Sequence, residues 1–460
     1  MPYPSISGGR HRECNRDQGL GMTTLIRKIQ KSIAIAAIAA AGFTAGSVAV
    51  PDTAAAAADN NIGLPTLPVI IVNKSGTSED LYVYIWAEYN KTNYYVSDTN
   101  GDVTPLTSTN KKYKKFGLNL GTKTKTKIFI PQVSSARFYL SFGTQMQVVV
   151  SSSGAPSTPI GWNTGSPNYG TLFDWMEYTW TPQENPPVPG RPGSALNANA
   201  TQVDMLGIPM LITMKGIDAN SNPVLTKAGF ARPGTRATIF STMSSAGTPW
   251  DDLIVTKGGT QVRLLAQKHG IPLGLFPSDQ LDSYIDNVYT TFAAGNRNGQ
   301  TVTAKTNAGG VDATFTGQVT SDNLVFTQSG QGNSGNTVTF PKPTTLEAYG
   351  APTFSYSGSG THLAAQAAQI QNFLQAALLR TTMLTYSTIS HCPSNPKKAY
   401  YKNDPINVYA KTIHRWAYKN QAYAFAYDDN CNQSSDYTIF APKKMTIKIP
   451  PFGKGMPADK

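Results

Sequence analysis

The 460-residue sequence is poor in the residues that most catalytic signatures need: it has three cysteines, five histidines and only 14% charged side chains. No G-x-S-x-G elbow, P-loop or glycine-rich dinucleotide fingerprint occurs along it. The histidines (His11, His269, His362, His391 and His414) are scattered, with no pair at metal-ligand spacing. A zinc hydrolase or a triad hydrolase therefore has little support, and no metal site is expected. Internal repeats and heptads are absent too. The low charge does not signal disorder, because 40% apolar residues are ample for a sizeable core. Two compact domains are the expectation at this length, with one large β-rich unit as the alternative. What remains for chemistry is carboxylates.

The N-terminus carries an address. Arg27, Lys28 and Lys31 precede a small, apolar run from Ile33 to Val50, and Ala54–Ala58 offers a cleavage site before Asp59. Basic, apolar and small-residue regions in that order describe a secretory signal peptide. The Ala-rich run suits a membrane anchor less well. Met22 stands directly before the basic cluster and offers an alternative start, which would remove Cys14 from the mature fold. Cys392 and Cys431 then remain, and in an exported chain such a pair favours one disulfide over a metal site or two free thiols.

Net charge is +12, or about +9 once the six Lys/Arg and three Asp/Glu of residues 1–58 are removed. The lysines are mostly dispersed. Two clusters, Lys111, Lys112, Lys114 and Lys115, and the alternating Lys123, Lys125 and Lys127, lie where the text reads as strands and turns. Alternating lysine there marks a solvated face or a protected edge strand. No nucleic-acid partner is expected, and no membrane contact after signal cleavage.

From Leu67 to Gln147, short apolar or alternating runs bounded by Gly, Asn, Ser or Pro read as strands. Residues 151–170 read as a loop, "TLFDWMEYTW" and "ATQVDMLGIPMLITM" as strands, and Pro182–Gly193 as a proline-rich connection. Ser278 is placed to cap a helix in which Leu281, Ile285, Val288 and Phe292 recur at helical spacing. A second helix carries Leu363, Ala367, Ile370, Leu374 and Ala377 on one face. Residues 299–340 read as a small Thr/Gly-rich meander, and "NDPINVYAKTIHRWAY" contains a shorter helix. "QAYAFAYDDN" and "KKMTIKI" read as strands. The expected order is a leader (1–58), a β domain (59–225), a mixed α/β domain (226–390) and a C-terminal segment (391–460) that completes the fold.

Glu177 is the acid with the most telling neighbours. In "FDWMEYTW", strand alternation puts Phe173, Trp175, Glu177 and Thr179 on one face. A carboxyl flanked by aromatic groups is disfavoured as a charge, and the resulting rise in pKa suits a general acid. The alternative is a Glu on the solvent face of an aromatic-rich strand. Asp204, in "TQVDMLGIP", sits among apolar residues and reads as hydrogen-bonded structure or as a working base. Two such carboxylates on neighbouring strands could flank one glycosidic bond. A separation of about 5–5.5 Å would retain the anomeric configuration, and roughly 6.5–9.5 Å would invert it.

The segments "FDWMEYTW", "TQVDMLGIPM", "LQAALLRTTM" and "NVYAKTIHRWAYKNQAYAFAYDDNCNQSS" together resemble the β-1,3-glucanases of glycoside hydrolase family 64, distant relatives of the thaumatin-like proteins. The resemblance spans about residues 67–450. It implies a mainly β protein, with a thaumatin-like β-barrel or sandwich beside a mixed α/β domain and a wide groove between them. It also implies an inverting, endo-type enzyme that cuts long β-1,3-glucans chiefly to a five-sugar product. Glu177 matches the family's general acid, Asp204 its general base, and Thr179 a substrate-contacting position. Asp428 and Asp429 match an acidic turn and are expected to be structural or groove-lining. Trp162, Trp175 and Trp180 are candidate sugar platforms. Two carboxylates supply both proton transfers, so no cofactor is expected, and the mature chain is expected to be a monomer.

Three departures stand out. The proline-rich stretch is longer than the family pattern suggests, Gln375 stands where a cysteine precedes Ala-Ala, and Val408 stands where Asn-His-Tyr is expected. Two other functional classes compete with the enzyme: a non-catalytic glucan-binding module of thaumatin-like type, and a structural surface protein. Retention of both Glu177 and Asp204 argues for catalysis.

Overall fold

Short β-forming runs separated by Gly, Asn and Ser turns assemble into a 12-stranded sheet in the computed structural model, which describes residues 59–107, 113–180, 194–295, 299–330 and 335–453. The leader in 1–58, Lys111, Lys112 and the Pro182–Gly193 stretch lie outside the described residues. The strands are β1 (Thr66–Asn73), β2 (Leu81–Tyr89), β3 (Thr92–Val96), β4 (Val103–Pro105), β5 (Leu118–Asn119) and β6 (Lys125–Pro131). They continue with β7 (Ser134–Phe142), β8 (Leu172–Trp180), β9 (Ala195–Ala200), β10 (Leu211–Ile217), β11 (Pro223–Gly229) and β12 (Asp436–Ile449).

The main path runs β11-β10-β12-β9-β8-β7-β2-β3-β4, with β1 joined to β12 and β6, and β5 to β2. Only the β1–β12 pairing is parallel. β12 comes from the far end of the chain and ties the sheet together. Its first residues pair with β9, and its last lie between β1 and β10. The sheet curls into a half-barrel around an apolar core that includes Val69, Phe138, Met176, Leu196 and Ile447. The expected boundary at residue 225 falls inside β11, so this sheet runs on to Gly229. Lys125 and Lys127 project from β6, which pairs with β1 alone, and this is the protected edge that alternating lysine indicated.

The opposite face of the sheet is half covered by a second core. Helices α1 (Thr235–Ala246), α2 (Asp282–Thr291), α3 (Leu363–Leu379) and α4 (Val408–Trp416) contribute to it, as do a three-stranded sheet and a five-stranded meander. The apolar faces read from the sequence are the ones buried: Leu281, Ile285, Val288 and Phe292, and Leu363, Ala367, Ile370, Leu374 and Ala377, are all at most 5% exposed. α2 starts later than expected, with Leu281 rather than Ser278 before its first turn and no side-chain cap. Gln375 donates to the carbonyls of Ala348 and Tyr349, linking α3 to the neighbouring helix Thr345–Gly350 where the family pattern has a cysteine.

Two strand expectations fail. "QAYAFAYDDN" is irregular chain that runs into turns, where the buried Asp428 carboxylate accepts the Ala424 N–H and folds the chain back on itself. "ATQVDMLGIPMLITM" breaks into β9's last residue, a bend at Asp204, the short strand Met205–Leu206 and then β10. Among the described residues, no helix is long and apolar enough to cross a membrane.

Cys392 and Cys431 form a disulfide with Cα atoms 5.2 Å apart, closing a loop across 39 positions. A loop of that size corresponds to about 2–4 kcal/mol of unfolded-chain entropy. Replacing both cysteines by serine should lower the unfolding free energy by that amount in urea titrations. A reductant should weaken the native protein and leave the variant unchanged.

Candidate active site

β8 positions the first carboxylate by simple alternation. Leu172, Met176, Tyr178 and Trp180 point into the half-barrel core, while Phe173 and Trp175 point the other way into the second core. Glu177 and Thr179 continue that second face beyond its buried part, so they are partly open to solvent. Glu177 retains 34% side-chain exposure.

The sheet register lines up polar residues beside it. Arg137 on β7, Glu177 on β8, Asn199 on β9 and Asp436 on β12 are successive cross-strand partners. Thr179, Asn197 and Thr438 form the next row. Arg137 Nε lies 3.4 Å from Glu177 Oε1, and its guanidinium also donates to Thr158 Oγ1. Asn197 Nδ2 donates to Asp436 Oδ1 at 2.6 Å and to Thr438 Oγ1 at 3.0 Å. Burial pushes the Asp436 carboxyl up to about 6, opposed by the Asn197 hydrogen bond and reinforced by Asp429 and Glu177. Asn199 Oδ1 is buried without a hydrogen-bond partner among the described residues. Two polar rows thus form an open floor that can accept and donate hydrogen bonds along its length.

The second carboxylate is held by a different element. Asp204 lies just before the strand Met205–Leu206, and its carbonyl accepts the Ala266 N–H at 2.9 Å. That bond brings it over the single helical turn Gln267–Gly270. Lys268 Nζ and His269 Nε2 both reach Asp204 Oδ1, each at 2.7 Å. Oδ2 makes no hydrogen bond among the described residues. Burial acts to raise the Asp204 carboxyl, but the Lys268 charge and the His269 hydrogen bond outweigh it and hold the group well below the usual carboxylate range. Burial lowers His269, so the neutral ring donates its Nε2–H to Asp204. Trp162 stacks on that ring, with centroids 3.9 Å apart. Arg137 and Tyr139 feel the charge of both Glu177 and Asp204, so the two carboxylates share these neighbours electrostatically.

A buried acid sets the pair's relative position. Asp174, three residues before Glu177, accepts the N–H groups of Gly207 and Ile208 at 2.8 and 3.0 Å, and that of Trp175 at 2.8 Å. Gly207 lies three residues after Asp204, so one side chain clamps the two carboxylate-bearing segments together. The approach is close enough to require glycine, since a Cβ at 207 would sit 2.3 Å from the Phe173 carbonyl oxygen. Arg236 Nε donates to the Gly207 carbonyl at 2.7 Å, securing the other side of the same peptide.

The sequence pattern of glycoside hydrolase family 64, β-1,3-glucanase, matches residues 65–449. The chain belongs to that family. Two relatives named glucan endo-1,3-beta-glucosidase, from Cellulosimicrobium cellulans and Arthrobacter sp. (strain YCWD3), are each 29% identical to it over 326 residues. The match covers 71% of this chain and 54% of each relative, so the chain spans about half the length of the curated relatives it matches. The crystal structure of a laminaripentaose-producing β-1,3-glucanase in complex with laminaritetraose superposes with a TM-score of 0.70 at 25% identity, covering 84% of this chain and 99% of that one. A β-1,3-glucanase domain from Clostridium beijerinckii shares the fold, with a TM-score of 0.62 at 24% identity and 84% and 98% coverage.

Several residues that the glucanase resemblance or the aromatic pattern singled out lie away from the open floor. Trp175 is 3% exposed and packs 5.5 Å from the Tyr139 ring in the second core. Trp180 is 5% exposed in the half-barrel core, with its indole N–H donated to Ser194. Neither can stack on a sugar. Asp428 is fully buried between Arg380 and His414, at 2.8 Å from each, and is structural rather than groove-lining. Burial acts to raise its carboxyl, but the His414 and Arg380 charges hold it below the ordinary range. Asp429 is half-buried, and burial followed by the Asp428 charge raises it. Its charge reaches Asp436 on the floor. Thr179 lies on the floor and accepts the Ser135 N–H at 3.0 Å.

Arg137, Lys268, His269, Asn199 and Asp436 are the site residues that the sequence reading missed. Lys268 and His269 are more than sixty residues from Asp204, and only the register of the three-stranded sheet brings them together. Among the described residues, no group of three or more His, Cys, Asp or Glu side chains could hold a metal ion.

Burial pushes Asp174 up to about 7, against its three N–H hydrogen bonds. Its folded pKa thus exceeds its unfolded one, so its contribution to stability is present at low pH and declines as pH rises from about 4 to 7. Asp174→Asn offers one carbonyl oxygen to donors that now use two carboxylate oxygens. The variant should lose about 1–3 kcal/mol at pH 5 for the orphaned N–H, and the deficit should shrink toward pH 8. Urea unfolding at three pH values measures this, and a deficit independent of pH would show that Asp174 does not titrate in that range.

Proposed function

We propose that the chain is a secreted, inverting, endo-acting β-1,3-glucanase in which Glu177 is the general acid and Asp204 the general base. Family membership supports the substrate class. The observation that carries the division of roles is the pair of donors on Asp204 Oδ1. A carboxylate held ionised by Lys268 and His269 has no proton to give a leaving group, so it serves as the base and Glu177 as the acid.

Glu177 protonates the glycosidic oxygen as the bond to the anomeric carbon breaks. Asp204 takes a proton from a water that attacks that carbon from the opposite face, which inverts its configuration. The acid's proton leaves on the product hydroxyl and the water's proton sits on Asp204; solvent, to which both side chains are open, then takes the proton from Asp204 and supplies one to Glu177. The polar floor supplies amide, hydroxyl and carboxylate groups of the kind that bind glucan hydroxyls, with Thr179, Asn197 and Thr438 in one row. Trp162 and Asp429 border the same space through His269 and Asp436. Export follows from the signal-peptide pattern in residues 1–58, and the Cys392–Cys431 disulfide suits an oxidising compartment. The mature chain, from Asp59, is taken to act as a monomer without cofactor, nucleic acid or membrane.

Incubation of the mature chain with insoluble β-1,3-glucan should release a ladder dominated by one oligosaccharide, with a β-1,4-glucan left intact. Glu177→Gln and Asp204→Asn should each lower kcat by roughly 10²–10⁴-fold. Capture of the glucan by the wild type without any product would instead establish a binding module.

The charge that holds Asp204 ionised also predicts a pH effect. Removing the Lys268 ammonium raises the Asp204 carboxyl toward its ordinary value. Base function then fails at a higher pH on the acid side, so Lys268→Met should move the acidic limb of kcat/KM upward. An acidic limb in the same place for both proteins would assign it to another group.

A further inference from the structure

We propose that Trp162 is a positioning residue for the Asp204 base, acting through His269, and not a platform for a sugar ring. The inference rests on the assignment of Asp204 as the base. Asp204 is gripped on one oxygen only: Lys268 and His269 both use Oδ1, which leaves Oδ2 for a water. Lys268 is a flexible chain ending in a point charge, so it fixes the carboxylate's charge more than its orientation. Orientation depends on His269, a flat ring whose Nε2–H must lie in line with Oδ1.

A planar ring is fixed by one contact in its plane and one on its face. The hydrogen bond to Asp204 is the first. Trp162 supplies the second, with ring centroids 3.9 Å apart and planes 20° from parallel. An indole face already covered by imidazole at stacking distance offers that face to no sugar.

The loop carrying Trp162 is built to hold it there. Arg263 is fully buried, and its Nη2 donates to the carbonyls of Asn168, Tyr169 and Thr171 in the same loop. Asn168 in turn bonds both backbone groups of Gln147, and Ser166 Oγ closes the loop on the Ile160 carbonyl. Position 161 must be glycine for the guanidinium to pass, because a Cβ there would lie 1.7 Å from Arg263 Nη1. Arg263 itself belongs to the strand Thr260–Leu265, which leads within five residues to Lys268 and His269. One buried cation therefore fixes the Trp162 loop relative to the turn that holds the base.

The two roles separate in steady-state kinetics on a soluble β-1,3-glucan oligosaccharide. Positioning predicts that Trp162→Ala lowers kcat by roughly 10- to 100-fold, a share of the ~10²–10⁴ that an aligned acid–base group contributes. KM should stay within about twofold, and Trp162→Phe, which keeps a stacking face, should recover most of kcat. A platform predicts the reverse, with KM raised and kcat intact, and that result would overturn the proposal. A second readout needs no turnover. The charged groups that act on His269 are Asp204 and Lys268, and burial is the dominant influence lowering its pKa. Stripping the indole from its face should move the NMR titration of His269 upward toward about 6.5, and an unmoved titration counts against the stack. Asp204→Asn runs alongside: wild-type kcat in that variant would sink the base assignment itself, whereas its loss with Trp162→Ala unaffected would sink only the role of Trp162.

Discussion

The carboxyl group of Asp174 joins two pieces of chain, β8 and the stretch just after Asp204, by directed hydrogen bonds. β8 delivers Glu177, and the bend after β9 delivers Asp204. These are separate elements, ordered by pairing in different sheets: β8 in the 12-stranded sheet and Met205–Leu206, just after Asp204, in the three-stranded one. Asp174 bridges the gap by accepting backbone N–H groups from both sides. A buried carboxyl without donors would be costly, and three backbone donors offset that cost. Side-chain packing alone would leave the bend free to slide, because apolar contact has no direction. Hydrogen bonds to a single carboxyl have direction, and they fix the geometry on which a two-carboxylate reaction depends.

The same solution recurs at longer range. Asp428 is buried with Arg380 from the end of α3 and His414 from α4, and it also accepts the Ala424 N–H. Breaking such a cluster at any one member leaves an uncompensated buried charge, which is the expensive outcome. Its effect is to close the turns 424–432 and to aim the chain into β12. β12 then places Asp436 beside Asn199 and Glu177. An acid that touches no substrate thus determines where part of the floor lies. Arg263 does the same for the loop bearing Trp162. Three buried ionic centres orient the three segments that surround the open face.

Much of this was legible in the sequence, and the limit follows the range of the forces involved. Alternation in "FDWMEYTW" set the face of Glu177, because side-chain direction in a strand is a local property. Helical spacing gave the buried faces of α2 and α3 for the same reason. Local reading failed where a distant partner decides. "QAYAFAYDDN" has strand-forming residues, yet a buried acid turns it into loops. The aromatic pattern around Glu177 suggested sugar platforms, but Trp175 and Trp180 fill cores, and only three-dimensional packing distinguishes a covered aromatic from an open one. Lys268 and His269 carried no signal next to Asp204, since the sheet that unites them joins residues about sixty positions apart. Composition and spacing left Asp204 open between structure and base, and only the motif resemblance points to the base.

One face of one sheet carries both core side chains and the open polar rows, and this ties the candidate site to folding more closely than a site on loops would. Along β8 the residues Phe173, Trp175, Glu177 and Thr179 share a side, and full burial stops between the second and third of them. Trp175 is therefore the last packed neighbour before the acid. Its ring lies against Tyr139, whose strand also carries Arg137, the residue paired with Glu177. Any shift in that aromatic layer moves the strand backbone and reaches the Glu177 carboxylate within two residues. Rigidity at Glu177 thus comes in part from close-packed aromatics, while rigidity at Asp204 comes from hydrogen bonds and the stacking on His269. Glu177 stands on a strand whose backbone is fixed by the packed aromatic layer and faces the Arg137 cation across the pair, whereas Asp204 is gripped on one oxygen by Lys268 and His269. The sheet holds one carboxylate in place, and side chains hold the other.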